Sequence, residues 1–297
     1  MEEAIRFEAS GLALFGILHL PENAPPPTAC LLMVVGGPQT RVGSHRSYAF
    51  IARELCRRGI PVLRFDYAGI GDSEGRYVGF SESGPSIAAA VEWLYGRFPT
   101  LRKVIPWSLC DGATACILNV PALGQRVQGM ILCNPYAHSQ QGQAKAFIKH
   151  YYLRRLTDRA FWGKLLSFRL NPFAAVWSLF LLVSRALSSA TGGSVRARLP
   201  GPTAAGLPTG GAPSVDPPRL PEKIVEGLRA FRGRLVLLLS TDDLMAGEFL
   251  DLYRSSASGK FPEAEIHRVE GADHTFSTSA WKLKVCELTE EAWRKLA

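Results

Sequence analysis

The segment Trp107-Ser108-Leu109-Cys110-Asp111-Gly112-Ala113 sets a thiol and a hydroxyl between an apolar run and a helical one. A nucleophile at a sharp strand-to-helix turn projects from the edge of a sheet. The turn is crowded, so the residues two before and two after the nucleophile must be small. With Cys110 at the apex those residues are Ser108 and Gly112, and both fit. With Ser108 at the apex they are Pro106 and Cys110, and proline removes a backbone donor near the strand end. Cys110 is the preferred nucleophile and Ser108 its rival. The start of a helix also favours a thiolate, the form that attacks. Alone, S-x-C-x-G is a weak match, because a cysteine there is often only a small packing residue. Its weight comes from the acid and the histidine that lie downstream.

A nucleophile needs a base, and the base needs an acid that fixes its tautomer. At a turn of this kind the chain order is nucleophile, acid, histidine. After the apolar run 234–239 comes Ser240-Thr241-Asp242-Asp243, and after the run 265–269 comes Glu270-Gly271-Ala272-Asp273-His274. His274 is the base, and Asp243 is the preferred acid. Asp242 is the alternate, or caps the next helix. Acyl transfer also requires donors for an oxyanion. One is the amide of Asp111. The other belongs to the loop Val35-Gly36-Gly37-Pro38-Gln39, where Pro38 has no N–H, so Gly37 is preferred and Gln39 is the alternate. The same glycines make a tight turn after a strand whether or not a site is there. His45 lies just beyond this loop and is a candidate pocket residue. His19, His138, His150 and His267 read as structural.

Several chemistries are excluded. There is no phosphate-binding loop, and Gly69-x-Gly71-Asp72 lacks the third glycine of a dinucleotide fingerprint. The six cysteines lack paired zinc spacing, so neither a metal nor an organic cofactor is expected. The opening Met1-Glu2-Glu3 carries no basic-then-apolar leader, and no apolar run reaches a membrane span. Free thiols and a cytoplasmic setting are expected.

The 297 residues are 47% hydrophobic, enough for one large core plus an insertion. Charge is uneven. Residues 142–234 hold 15 Lys/Arg against 4 Asp/Glu, a net of +11 in a chain whose whole is +8. A basic block of this kind is a solvated surface, or it faces an anionic substrate or an anionic membrane. Nucleic acid is not expected, because no recognition module accompanies the charge.

Elements that would position these residues alternate along the chain. Runs 5–8, 12–20, 29–35, 60–65, 103–107, 127–133, 234–239 and 265–269 read as strands. Runs 48–58, 83–98, 112–119 and 280–296 read as helices. Repeated β-α-β units predict an α/β fold, a mostly parallel sheet with helices on both faces. The pattern breaks at 138–230, which reads as a helical basic cap. Within it the segment 192–218 has 6 Gly and 6 Pro and no apolar period, so it reads as a loop without a packed core. The core then comprises 1–137 and 231–297.

RFDYAGIGDSEG (64–75), SLCDGA (108–113), STDD (240–243) and GADHTF (271–276) together resemble an α/β-hydrolase over nearly the whole chain. The cysteine at the turn is similar to dienelactone hydrolases. VVGGPQTRVGSHR (34–46) with SLCDGAT resembles exosortase A system-associated hydrolases of type 1, which accompany bacterial exopolysaccharide and protein-sorting gene sets. That family usually has glycine where this chain has Ser108. The resemblance implies the α/β-hydrolase fold with an inserted cap and the triad Cys110–Asp243–His274, and it implies no substrate. The expected activity is cleavage of an ester or thioester through an acyl-enzyme. The aromatic, basic cap would choose a small acyl substrate, anionic or lipid-linked, and would give peripheral contact with the inner membrane face. Two alternatives are an acyltransferase on the same triad, and a non-catalytic scaffold docking on a membrane-associated polysaccharide assembly.

Overall fold

The computed structural model describes residues 1–137, 219–256 and 261–297. The chain divides into two units, Met1–Ser139 with Pro213–Ala297, and Gln140–Ala212. The expected cap helices, the loop 192–218, His138 and His150 lie outside the described residues.

Eight strands form one sheet in the order β1-β2-β4-β3-β5-β6-β7-β8. They are β1 (Glu2–Ala9), β2 (Leu12–His19), β3 (Ala29–Val34), β4 (Val62–Phe65), β5 (Lys103–Leu109), β6 (Gly129–Cys133), β7 (Arg234–Ser240) and β8 (Ala264–Val269). In the β1–β2 hairpin β1 alternates buried and exposed residues, and β2 joins β4 antiparallel. All pairings from β4 to β8 are parallel. Every residue of β3, β4 and β6 is buried, as expected where helices cover both faces.

The helices are α1 (Ser47–Arg57), α2 (Gly84–Arg97), α3 (Asp111–Asn119), α4 (Leu220–Ala230), α5 (Leu244–Ser256) and α6 (Ser279–Leu296). From β3 the chain steps one way to β4 through α1. It then steps the other way to β5 through α2 and to β6 through α3. Right-handed crossovers therefore place α1 on one face and α2 and α3 on the other. α1 packs on α6, and α3 packs on α2 and α4. The strand order reverses between β3 and β5, so the loops leaving their C-terminal ends flank a crevice. Cys110 and the Gly36-Gly37 loop lie there.

Two features depart from the expected boundaries. β5 runs on to Leu109 through Pro106. The β6 ladder begins at Trp107↔Ile131, one residue later, so the missing N–H of Pro106 falls where β6 does not yet pair. Helix α4 falls in the stretch that composition gives to the cap, yet it is a core helix. Leu220, Ile224 and Leu228 are buried along one face, and Gly227 brings the helix so close to α3 that a Cβ there would lie 2.3 Å from the Ile117 carbonyl oxygen. The second core segment thus starts before 231.

If α4 is part of the core, Ile224→Ala should cost about 2–5 kcal/mol, read as a lower urea midpoint. An unchanged midpoint would detach this helix from α3.

Candidate active site

Cys110 joins β5 to α3 with φ 61° and ψ −130°, a conformation that L residues rarely adopt. Its surroundings hold it there. Its N–H donates to the Cys133 carbonyl at 3.0 Å, and its carbonyl accepts from Ala113, Thr114 and Tyr136. The preceding amide, of Leu109, donates to the Tyr48 hydroxyl at 3.0 Å, which in turn donates to the Val34 carbonyl. A Cβ at Gly112 would sit 2.4 Å from Ser108 Oγ and 2.7 Å from Val35 backbone, so this position must be glycine. Ser108 is fully buried, and its hydroxyl donates to the Val34 carbonyl. It is turned into the sheet rather than presented at the edge.

His274 and Asp243 meet across the ends of β7 and β8, His274 Nδ1 lying 2.7 Å from Asp243 Oδ2. The same carboxylate accepts from the amides of Met245 at 3.1 Å and Ala246 at 3.2 Å. Asp243, not Asp242, therefore caps α5 while it holds the ring. Asp242 is exposed. The other ring nitrogen, Nε2, is buried and makes no aligned hydrogen bond among the described residues. The Cys110 sulfur is nonetheless close enough to stabilise the protonated ring. Burial of the ring opposes its protonation, but the hydrogen bond to Asp243 and the Cys110 sulfur outweigh it and push the His274 pKa up to about 10.

A network that the sequence pattern did not reveal sets the His274 loop. Asn134, immediately after β6, is fully buried with φ 41°. Its Nδ2 donates to the His274 carbonyl and to Ser240 Oγ, both at 2.8 Å, and its Oδ1 accepts from the Ser240 amide at 2.7 Å. Ser240 Oγ then donates to the Asp273 carbonyl. The one sequence signal of Asn134 is its place, directly after a buried strand at the same sheet edge as Cys110.

The loop after β3 is pinned by charge. Asp66 is fully buried and accepts from both the amide and the guanidinium of Arg41, whose other nitrogen reaches Asp72. A Cβ at Gly71 would fall 2.2 Å from Asp66 Oδ2, which accounts for the glycine in the 64–75 motif. The amide of Gln39, the alternate donor, is used in the turn, donating to the Gly36 carbonyl at 3.3 Å, and its side-chain oxygen accepts from Ser44. His45 is exposed, and its carbonyl accepts from Lys282 of α6.

Gly37, with φ 50°, lies against the Asp111 side chain. The Asp111 carboxyl accepts from the amide of Gly112 at 3.1 Å, and the nearby amides of Asp111 itself and of Gly37 favour its charged form. Burial raises its pKa to about 6 against the pull of these amides and of His274. Among the described residues, the one group with metal-ligand proximity is Glu265, His267 and Glu291, at the far side of β8. Lys295 already pairs with both glutamates. No described helix is long and apolar enough to cross a membrane.

No protein-family model and no curated protein sequence matches the chain. Solved structures do. An esterase from Pyrococcus furiosus is 13% identical with a TM-score of 0.62, covering 100% of this chain and 91% of its own. Est1E from Butyrivibrio proteoclasticus, solved with ferulic acid bound, is 13% identical with a TM-score of 0.62 over 99% of both chains. Dienelactone hydrolase from Anabaena variabilis is 12% identical with a TM-score of 0.61, over 100% of this chain and 98% of that one. The reversal of strand order beside a strained strand-to-helix turn belongs to the same architecture. The fold is that of the α/β-hydrolases.

Proposed function

We propose that the protein is a hydrolase that cleaves an ester or thioester through an acyl-enzyme on Cys110. The observation that carries this reading is the strained turn that presents Cys110 to an imidazole already held by Asp243. An imidazolium beside a cysteine sulfur is the setting in which thiols act as thiolates.

In the first step the Cys110 sulfur attacks the acyl carbon, a C–S bond forms, and the carbonyl π pair moves to oxygen. Collapse of this intermediate breaks the bond to the leaving oxygen or sulfur, which takes the proton from His274 Nε2. Neutral His274 then removes a proton from water as the water attacks the thioester. The second collapse breaks the C–S bond and releases the acid. Asp243 keeps Nδ1–H pointed at itself throughout, so Nε2 is the nitrogen that trades protons. The oxyanion donors in this reading are the amides of Asp111 and Gly37.

Ser108 does not serve as nucleophile in this reading, because its hydroxyl is committed to the Val34 carbonyl inside the sheet. On the resemblance in residues 34–46 and 108–114, the setting is bacterial exopolysaccharide or protein-sorting metabolism.

Intact mass after mixing with p-nitrophenyl esters and acyl-CoA thioesters tests the nucleophile. The wild type and Ser108→Ala should each gain one acyl group, and Cys110→Ala none. An adduct lost in Ser108→Ala but kept in Cys110→Ala would overturn the assignment.

The charge on His274 gives a second test. Its folded-state pKa of about 10 lies above the 6.5 of a free ring. Stabilisation from this ring is thus complete below about pH 6.5 and is lost as pH rises through about 10. The leaving-group proton disappears over the same upper range, so kcat/KM for thioester cleavage should fall above about pH 10. Asp243→Asn should bring that descending limb to lower pH and reduce kcat by up to about 10⁴-fold. An unmoved limb would mean that Asp243 does not govern the ring.

A further inference from the structure

The Asp111 side chain is a half-buried titratable group at the crevice to which acyl transfer gives no task. Its position is specific. It folds back over its own amide rather than outward, into space that exists only because two successive residues of the facing loop lack side chains. A Cβ on Gly36 would lie 1.9 Å from Oδ1, and one on Gly37 would lie 2.8 Å from Oδ2. In that space the carboxyl accepts from the amide of Gly112 at 3.1 Å, and the amides of Asp111 and Gly37 face it closely enough to favour its charged form. Two of these, Asp111 and Gly37, are the donors a tetrahedral oxyanion would require.

We propose that Asp111 plugs its own oxyanion hole: its carboxyl group fills the space beside the amides that a substrate's acyl oxygen must take, so acyl transfer waits until this side chain swings out or loses its charge. The proposal rests on the acyl-transfer reading of Cys110. An ionised carboxylate is a good mimic of the oxyanion, with negative oxygens directed at the same N–H groups. It therefore competes with the substrate for donors, and its charge opposes the charge that develops in the transition state. The described groups that face it are few. His274 approaches from the loop after β8, Cys110 adjoins it in the chain, and Tyr48 comes from α1. Tyr67 and Tyr77 come from the stretch after β4. His274 is the one cation among them, and it favours the ionised, plugging form. Burial favours the neutral form and wins, leaving the pKa at about 6. The Tyr77 hydroxyl, buried and without a hydrogen-bond partner among the described residues, is a donor left unused in the plugged arrangement.

The plug separates two reactions of the same sulfur. Acylation by p-nitrophenyl acetate forms an oxyanion, whereas alkylation by iodoacetamide displaces iodide from a saturated carbon and forms none. Both rates at Cys110 are read by intact mass in the full-length wild type, Asp111→Ala and Asp111→Asn. Asp111→Ala should acylate roughly tenfold faster than wild type near neutral pH, a gain below the full worth of an oxyanion donor. Asp111→Asn, which keeps the shape without the charge, should gain less. Alkylation should change by no more than about twofold, and the acylation gain should shrink as pH falls below about 6, where the wild-type carboxyl is neutral. If both variants acylate no faster than wild type while alkylation persists, the plug is overturned and the acyl-transfer reading stands. If all three proteins alkylate but none acylates, that reading fails and takes the plug with it. Should Asp111→Ala lose its fold by circular dichroism, Asp111→Asn carries the comparison alone, and any gain in acylation beyond its gain in alkylation supports the plug.

Discussion

Everything at this sheet edge depends on one backbone conformation, that of Cys110. A non-glycine residue at φ 61° and ψ −130° carries a strain of about 1–3 kcal/mol. It persists because the surrounding hydrogen bonds leave no alternative. Its amide is tied to β6, its carbonyl receives three amides, and the Tyr48 hydroxyl bridges the ends of β3 and β5. The conformation also dictates its neighbours. Gly112 and Gly36 leave no room for a Cβ, and Ser108 is small enough to lie beneath the turn. The reward for this strain is positional: a side chain raised from the sheet edge with the first turn of α3 directly behind it.

The partners of Cys110 are fixed by sharing. Asp243 meets two demands with one carboxylate, closing the first turn of α5 and orienting His274, so moving either partner disturbs the other. The His274 backbone is held separately, through Asn134 and Ser240, which links β6, β7 and the loop after β8. On the opposite side, Arg41 and the buried Asp66 fix the loop that carries Gly36 and Gly37. The ring and the Gly36-Gly37 loop therefore have independent anchors, and the turn at Cys110 is where the two meet.

The strands are legible in the sequence because a parallel sheet covered on both faces makes continuous apolar runs, as in Ala29–Val34 and Arg234–Ser240. Cys110 and Asp243 are legible as candidates because each comes just after such a run, and His274 because it follows a last, mixed strand in the order nucleophile, acid, histidine. Helix α4 is not, because Pro221 and its charged neighbours share the composition of the basic stretch before it, and only packing on α3 assigns it to the core. Asn134 is hidden for a different reason. An asparagine after a strand is the usual residue of a turn, and its tie to His274 spans 140 residues. The choice between Asp242 and Asp243 likewise needs coordinates, since adjacent carboxylates differ only in which way they point. The orientation of Asp111 could not be read at all, because the sequence identifies its amide as a donor and says nothing of where its carboxyl turns.

The Asp111 carboxyl and the His274 ring also act on each other. The imidazolium lowers the Asp111 pKa, and by reciprocity an ionised Asp111 favours the imidazolium. This attraction is smaller than those from Asp243 and Cys110, which dominate the ring. In the proposed reaction its sign matters for acyl transfer. When a neutral acyl oxygen replaces the carboxylate against the loop amides, His274 loses one of the charges that hold its proton, so the ring is a stronger acid in the complex before attack. Attack then carries the sulfur's charge to the acyl oxygen, and an oxyanion takes the place that the carboxylate held. In that reading the ring keeps its proton until collapse of the intermediate moves this charge to the leaving group, which is the atom that must take the proton.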